Sequence, residues 1–203
     1  TLVQRVTERL GDTETIIFSS NSFMAAELPE TSLFKDKARG IPLTNGFISQ
    51  NGKLIPVFVW GVNDMPISKG GARINSPLLK ELGQNHPCAI VLRLPASGLV
   101  PSGSLFVTEN YTTSMRLTFE GVVSVEEGGN ISMKNEQILP LNIFVNREEL
   151  AEVLETEGKI NLILANKEIS AGELEKVWSY SSSGLSVVRK DDFTEIFSDR
   201  VFL

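Results

Sequence analysis

Apolar residues at the start of the chain recur at helical spacing. Leu2, Val3, Val6 and Leu10 fall on one stripe, Gln4 and Glu8 point away from it, and Gly11 stands where a helix would stop. The pattern then changes period. Thr15, Ile16 and Ile17 form a β-branched run that predicts a buried strand, and NSFMAAEL, ahead of Pro29, predicts a short helix. In GIPLTNGFISQNGKLIPVFVWGVN two strand-like runs meet at Asn51-Gly52, a dipeptide that tolerates the positive φ of a type I′ hairpin turn. Val57 and Val59 face one way along the second run and Phe58 and Trp60 the other, so that strand is expected to be covered on both sides.

Further along, Ser76 reads as an N-cap, Pro77 as the first helical residue and Gly83 as the stop of a helix whose apolar face is Leu78, Leu79 and Leu82. CAIVLRL predicts a strand and PASGLVPSGS a loop. SMRLTFEGVVSVEE predicts a long alternating strand with Met115, Leu117 and Phe119 on one face and a bulge or bend at Gly121. The stretch from Leu141 to Asn166 reads as strand, helix and strand, close to a crossover connection. Its helix starts at a capping box in which Asn146 replaces the usual Ser or Thr, with Glu149 three residues on, and it buries Leu150, Val153 and Leu154. AGELEKVW predicts another short helix, and LSVVRK and RVFL two last strands. The class is α+β, with strands outnumbering helices.

At 203 residues the chain fits one large domain or two intimate small ones, with enough length to bury a sizeable core. Hydrophobic residues at 41% and charged residues at 22% are ordinary for a globular chain, which speaks against disorder and fibrous repeats. A net charge of -6 and scattered Lys and Arg argue against a nucleic-acid partner. The longest apolar run, Leu54 to Val62, is too short to span a bilayer and contains Pro56, and no basic segment followed by a long apolar one marks a signal peptide. The chain is expected to be a soluble piece.

Candidate chemistry is sparse. One cysteine, Cys88, and one histidine, His86, rule out an intrachain disulfide framework and a Cys/His zinc site. Cys88 reads as a small buried hydrophobe beside Pro87, and His86 as a surface-loop residue, since no serine has the elbow context a triad needs. Phosphate-loop, dinucleotide and H-E-x-x-H patterns are absent. Glu148, Glu149, Glu152, Glu155 and Glu157 read as a solvated helix face, the first two also favoured by the helix dipole, and Asp191, Asp192 and Glu195 as a surface cluster. Asn110 and Asn130 fit the glycosylation pattern, to which no function is attached. Trp60, Trp178, Tyr111 and Tyr180 are the aromatics of a sugar-binding surface if there is one, although Trp60 reads as core. No catalytic, cofactor-binding or metal residue is expected, and no cofactor.

The order of the pieces carries a resemblance. RVTERLGDTETIIFSSNSFM, IPVFVWGVND, RINSPLLKELG followed by CAIVLRL, then RLTFEGVVSVEEGGNISMKNEQILPLNIFVNREELAEVL, KINLILAN and the closing SDRVFL resemble the extracytoplasmic core domain of MacB-like ABC transporter permeases, whose membrane part is of the FtsX type. QNHPC departs from the Gly-Asp turn usual in relatives after the helix ending at Gly83. The resemblance implies a mixed α/β porter-like subdomain formed by residues 1–40 and 140–203 and an inserted, strand-rich subdomain over 41–139. It also implies that the opening helix continues a membrane helix absent from this chain.

By the same resemblance the domain would be non-catalytic. It would lie on the periplasmic side of the bacterial inner membrane and couple ATP-driven motions of the membrane helices to export or mechanotransmission. Its partners would be a cytoplasmic ATP-binding subunit or domain, a second permease in a dimer, and an envelope partner or exported cargo such as a lipoprotein, peptide, antibiotic or lipid, met at the loops Gly98 to Gly103 and Gly128 to Asn130. The rival readings are a free periplasmic or surface ligand-binding module and a hydrolase with a carboxylate or histidine cleft.

Overall fold

A computed structural model describes residues 11–19, 23–50, 52–83, 89–95, 112–133, 138–180, 182, 185–190 and 192–198. Six strands close into a barrel. Strands β4 (Leu43–Gln50) and β5 (Lys53–Val62) form the hairpin expected at Asn51-Gly52, with Gln50 opposite Lys53 and Gly52 at φ 77°. The barrel continues through β9 (Asn142–Asn146), β6 (Gly71–Asn75), β8 (Thr112–Val123) and β7 (Ala89–Pro95), and β7 returns to β4 at Phe47 and Ile48. The pairs β5–β9 and β6–β8 are parallel and the others antiparallel.

Alternation along each strand fills the interior. Ile48, Val57, Val59, Ile74, Leu92, Leu117 and Ile143 are buried there, and Leu78 and Leu82 of helix α1 (Ser76–Leu82) and Leu150 of helix α2 (Arg147–Val153) pack against them. Beyond Pro56, β5 is covered on both sides, with Val57 and Val59 inward and Trp60 buried on the outer face.

That outer face supports a second layer. Strands β1 (Thr15–Phe18), β11 (Leu162–Ala165) and β3 (Ala38–Ile41) form an antiparallel sheet with β11 in the centre. Ile41, Leu162 and Leu164 pack on Trp60, Val62 and Phe144 of the barrel, and Trp60 and Phe144 stack with ring centroids 6.4 Å apart. The opposite face, with Ile163 and Ala165, meets Met24, Leu28, Phe34 and helix α3 (Ala171–Val177). A two-residue pair joins β2 (Met24–Ala25) to β10 (Lys159–Ile160), and β12 (Leu185–Arg189) and β13 (Thr194–Ser198) make a separate hairpin. Among the described residues no helix is long and apolar enough to cross a membrane.

Several expectations change. The helix read in NSFMAAEL is, over its described part, the strand β2 followed by a 3-10 turn at Leu28–Glu30, because pairing with β10 buries Met24 and Ala26 N–H bonds the Gly158 carbonyl at 2.9 Å. The cap of α1 is Asn75, one residue before Ser76; its buried side chain accepts from Leu78 N–H at 3.2 Å, while Gly83 ends the helix at φ 63° as expected. Asn146 does cap α2, accepting from Glu149 N–H at 3.1 Å, but the return bond is missing because the Glu149 carboxylate takes Gly70 N–H at 2.8 Å. The complete capping box is at Ser170 and Glu173, at the start of α3.

The strand-helix-strand unit is no crossover within one sheet. β9 pairs inside the barrel and β11 in the three-stranded sheet, so α2 carries the chain from one to the other. Residue 140 thus marks no break in pairing. Gly121, at φ 148°, follows a register shift in β8 opposite Ala72 and Arg73, where a bulge was expected. The partner of LSVVRK is Thr194–Ser198. The opening helix up to Leu10, RVFL, the loop Gly98 to Gly103, His86, Cys88, Tyr111 and Asp191 lie outside the described residues.

Candidate functional site

β3 and β4 are one run of chain interrupted at Pro42, which has a fixed φ and no N–H to donate. The β4–β5 ladder ends at Leu43 opposite Trp60, and Pro42 still accepts from Gly61 N–H at 3.0 Å. Past that bond the two chains separate: β3 turns to β11, and β5 runs on to Val62 beside β9. Gly61 permits the junction, since a Cβ there would come within 2.6 Å of Pro42 Cγ and 3.0 Å of Leu150 Cδ2. The Asn161 side chain closes it from the other side, donating to the Leu43 carbonyl and accepting from Leu43 N–H, both at 2.7 Å.

The fork opens into a cleft of about 630 Å³, within the range of ligand clefts. Its floor is the free edge of β3; Ala26, Pro29 and Glu30 form one wall, Val62, Asn63, Asp64 and Arg147 the other, and Lys35 and Asp36 stand at one end. Counted on from the last hairpin pair, Arg39 and Asp64 are formal cross-strand partners, and their side chains still meet across the opening, Nη1 to Oδ2 2.6 Å. Both are well exposed, so the bridge contributes only about 0.2–1 kcal/mol. Acidic and basic side chains are balanced around the cleft, and polarity and shape, more than net charge, would select what enters.

A second polar centre is buried. Asn142, fully buried, accepts from Trp60 Nε1 at 3.1 Å and donates through Nδ2 to the Gly129 carbonyl at 2.9 Å and the Ile131 carbonyl at 2.8 Å. Asn75, also fully buried, accepts from Asn142 N–H at 3.1 Å and donates to the Pro140 carbonyl at 2.8 Å. Every polar atom of these two side chains is partnered, which makes this a structural pin and ties the Gly128 to Asn130 turn to the core. The same turn region holds Glu127 below the ordinary carboxylate range, chiefly through the bond from Ser124 N–H, with Arg73 adding to it. Glu126 is held low mainly by a backbone N–H of its own residue. Glu173 is lowered first by Ser170 N–H and then by the Ser170 hydroxyl.

Among the described residues, those singled out in the sequence do not converge. Trp60 is core, Trp178 is half-buried at the end of α3, and Tyr180 is 69% exposed. Glu148, Glu152, Glu155 and Glu157 are exposed, Glu149 is engaged with Gly70, and Glu195 pairs with Lys190 at 2.9 Å. Among the described residues no group of three or more His, Cys, Asp or Glu side chains is placed to hold a metal ion. The fork and the Asn142 centre were missed in the sequence. Their one local signal was Pro42 in the middle of a strand-like run.

No family model and no curated protein matches the sequence. Among solved structures the chain is similar to the extracellular domain of the noncanonic ABC-type transporter YknZ from Gram-positive bacteria, at TM-score 0.47 and 9% identity over 80% of this chain and 86% of that one. It is also similar to the periplasmic region of MacB from Actinobacillus actinomycetemcomitans, at TM-score 0.49 and 9% identity over 86% of this chain and 84% of that one, a structure that bears the family name read from the sequence phrases.

Proposed function

We propose that the chain is a non-catalytic extracytoplasmic domain of a MacB-like ABC transporter permease. The observation that carries this reading is the layout of the chain. Segments from its two ends, Thr15–Phe18 and Ala38–Ile41 with Leu162–Ala165, build one small sheet, and most of the chain between them forms the strand-rich barrel, as a porter-like unit with an insertion requires. The two units share a packed face at Ile41, Trp60, Phe144 and Leu164, through which a displacement of one would be passed to the other. On this reading the energy comes from an ATP-binding subunit or domain across the membrane, the permease works as a dimer, and the domain couples membrane-helix motion to export or mechanotransmission, with cargo or an envelope partner on its outer side.

The test is the parent gene, read on both sides of these residues, with reporter fusions to fix the side of the membrane. One membrane helix leading into Thr1 and three after the domain, with alkaline phosphatase active when fused at Leu203, are expected. A cleavable signal ahead of Thr1 with no later membrane helix would overturn the reading in favour of a secreted binding module.

A further inference from the structure

Among the described residues the outer edge of β3 has no strand paired to it where the fork opens along it. In the three-stranded sheet the ladder bonds alternate. Ser19 N–H reaches the Asn161 carbonyl at 2.9 Å on the β1 side of the central strand, and Asn166 N–H reaches the Lys37 carbonyl at 2.8 Å on the β3 side. With Arg39 opposite Leu164 and Ile41 opposite Leu162, this alternation turns the main-chain groups of Arg39 and Ile41 toward β11 and those of Ala38 and Gly40 toward the cleft. Among the described residues no partner meets the N–H or C=O of Ala38 or Gly40. Two donors and two acceptors at the spacing of an extended chain thus line the floor of a cleft of about 630 Å³.

We propose that this cleft binds an extended peptide segment, which adds a strand to β3 in antiparallel sense through Ala38 and Gly40. The walls specify its side chains. Residues opposite Ala38 and Gly40 would point to the face lined by Ala26 and Pro29, where apolar side chains fit; the residue opposite Arg39 would point to the Arg39–Asp64 pair and Arg147, where a polar one fits. The recognised pattern is therefore apolar, polar, apolar. Gly61 and Pro42 set the closed end of the fork, so the segment lies against β3 and stops short of the hairpin. The inference is independent of the transporter reading and applies equally to a binding module.

The experiment is an amide-resolved NMR titration of the protein with the capped peptide acetyl-Ser-Val-Thr-Val-Ser-amide to millimolar concentration. The control peptide carries proline at both valine positions and so lacks their N–H donors. Saturable shifts and new hydrogen-exchange protection are expected at the Ala38 and Gly40 amides with the first peptide and not with the second. Ala38→Pro removes one outward donor while leaving the β11 ladder in place, a substitution that edge strands accept, and it should abolish the titration with the Leu164 and Asn166 amides unchanged. No shift at Ala38 and Gly40, shifts confined to the opposite edge at Ile16 and Phe18, or an unaltered titration in Ala38→Pro would overturn the proposal. So would protection of both amides before peptide is added, which would mean that another part of the chain already occupies the edge. If Ala38→Pro does not fold, exchange protection in the unaltered protein decides the matter.

Discussion

Replacing Asn142 by alanine removes the shared partner of three buried groups, the Trp60 indole N–H and the carbonyls of Gly129 and Ile131. Each buried group left unpaired costs about 1–3 kcal/mol, and the carbonyls lie at the low end because an oxygen has a second lone pair to use. The expected loss is about 3–5 kcal/mol, a large part of the roughly 5–15 kcal/mol that holds a domain together. For a chain of this size that lowers the melting temperature by about 6–20 °C. Urea unfolding followed by tryptophan fluorescence suits the measurement, since Trp60 sits at the centre affected, with circular dichroism as a second probe. A loss below about 1 kcal/mol, with the two probes coincident, would refute the account of Asn142 as the pin of the Gly129–Ile131 turn.

A Cβ at Gly129 would run into the Val123 and Ser124 carbonyl oxygens, which are fixed backbone, whereas the nearest atoms to one at Gly71 belong to the Glu120 carboxylate, the far end of a flexible side chain. Gly129→Ala should therefore cost about 1–3 kcal/mol in denaturant unfolding and Gly71→Ala clearly less; equal losses would contradict this. Among the described residues the buried Thr156 hydroxyl meets no partner, so Thr156→Val should leave stability unchanged or raise it by about 1 kcal/mol, and a loss above that would mean the hydroxyl has a partner. Ser170→Ala removes the cap of α3 and should cost about 1 kcal/mol by denaturant unfolding; no change would show that the box contributes nothing there. Because the Glu127 and Glu173 carboxylates are held below their ordinary range, their contribution is complete above that range and is lost as the pH falls through the lowered values. The Ser124 and Ser170 amide resonances should accordingly titrate at a lower pH than an ordinary exposed glutamate carboxyl does, and midpoints at or above that of an ordinary glutamate would contradict the assignment.

Features set by neighbouring residues were legible in the sequence. Asn51-Gly52 marked the hairpin, Gly83 the end of α1 and Gly121 the irregularity in β8, because each depends on a backbone conformation that few residues adopt. Ser170-Ala-Gly-Glu173 carried a capping signature that could have been read and was passed over. Other features depended on partners far along the chain. Met24 sits in a run whose local pattern suits a helix, and only Ile160 opposite it makes a strand. Asn75 was overlooked beside Ser76 because its second acceptor role, toward Asn142 N–H, appears only once β9 lies against β6. The cleft was invisible for the same reason: nothing local in ARGI tells which side of that strand will remain unpaired.

The small sheet also dictates an order of assembly. β1 and β3 lie early in the chain but have their common partner at Leu162–Ala165, and Thr15 is tied to Lys167 and Ile169 across separations of 152 and 154 residues. The barrel strands lie between Leu43 and Asn146, so the barrel can close before β11 has been made. At a synthesis rate of about 5–20 residues per second, β3 waits on the order of 6–25 s, and β1 on the order of 7–29 s, on a growing chain for the strand that joins them. Throughout that interval Ile16, Ile17 and Ile41 have no sheet to enter, and the barrel face around Trp60 has no cover. If the barrel closes first and offers that face to the small sheet, contacts within the sheet are expected to slow unfolding more than they speed folding.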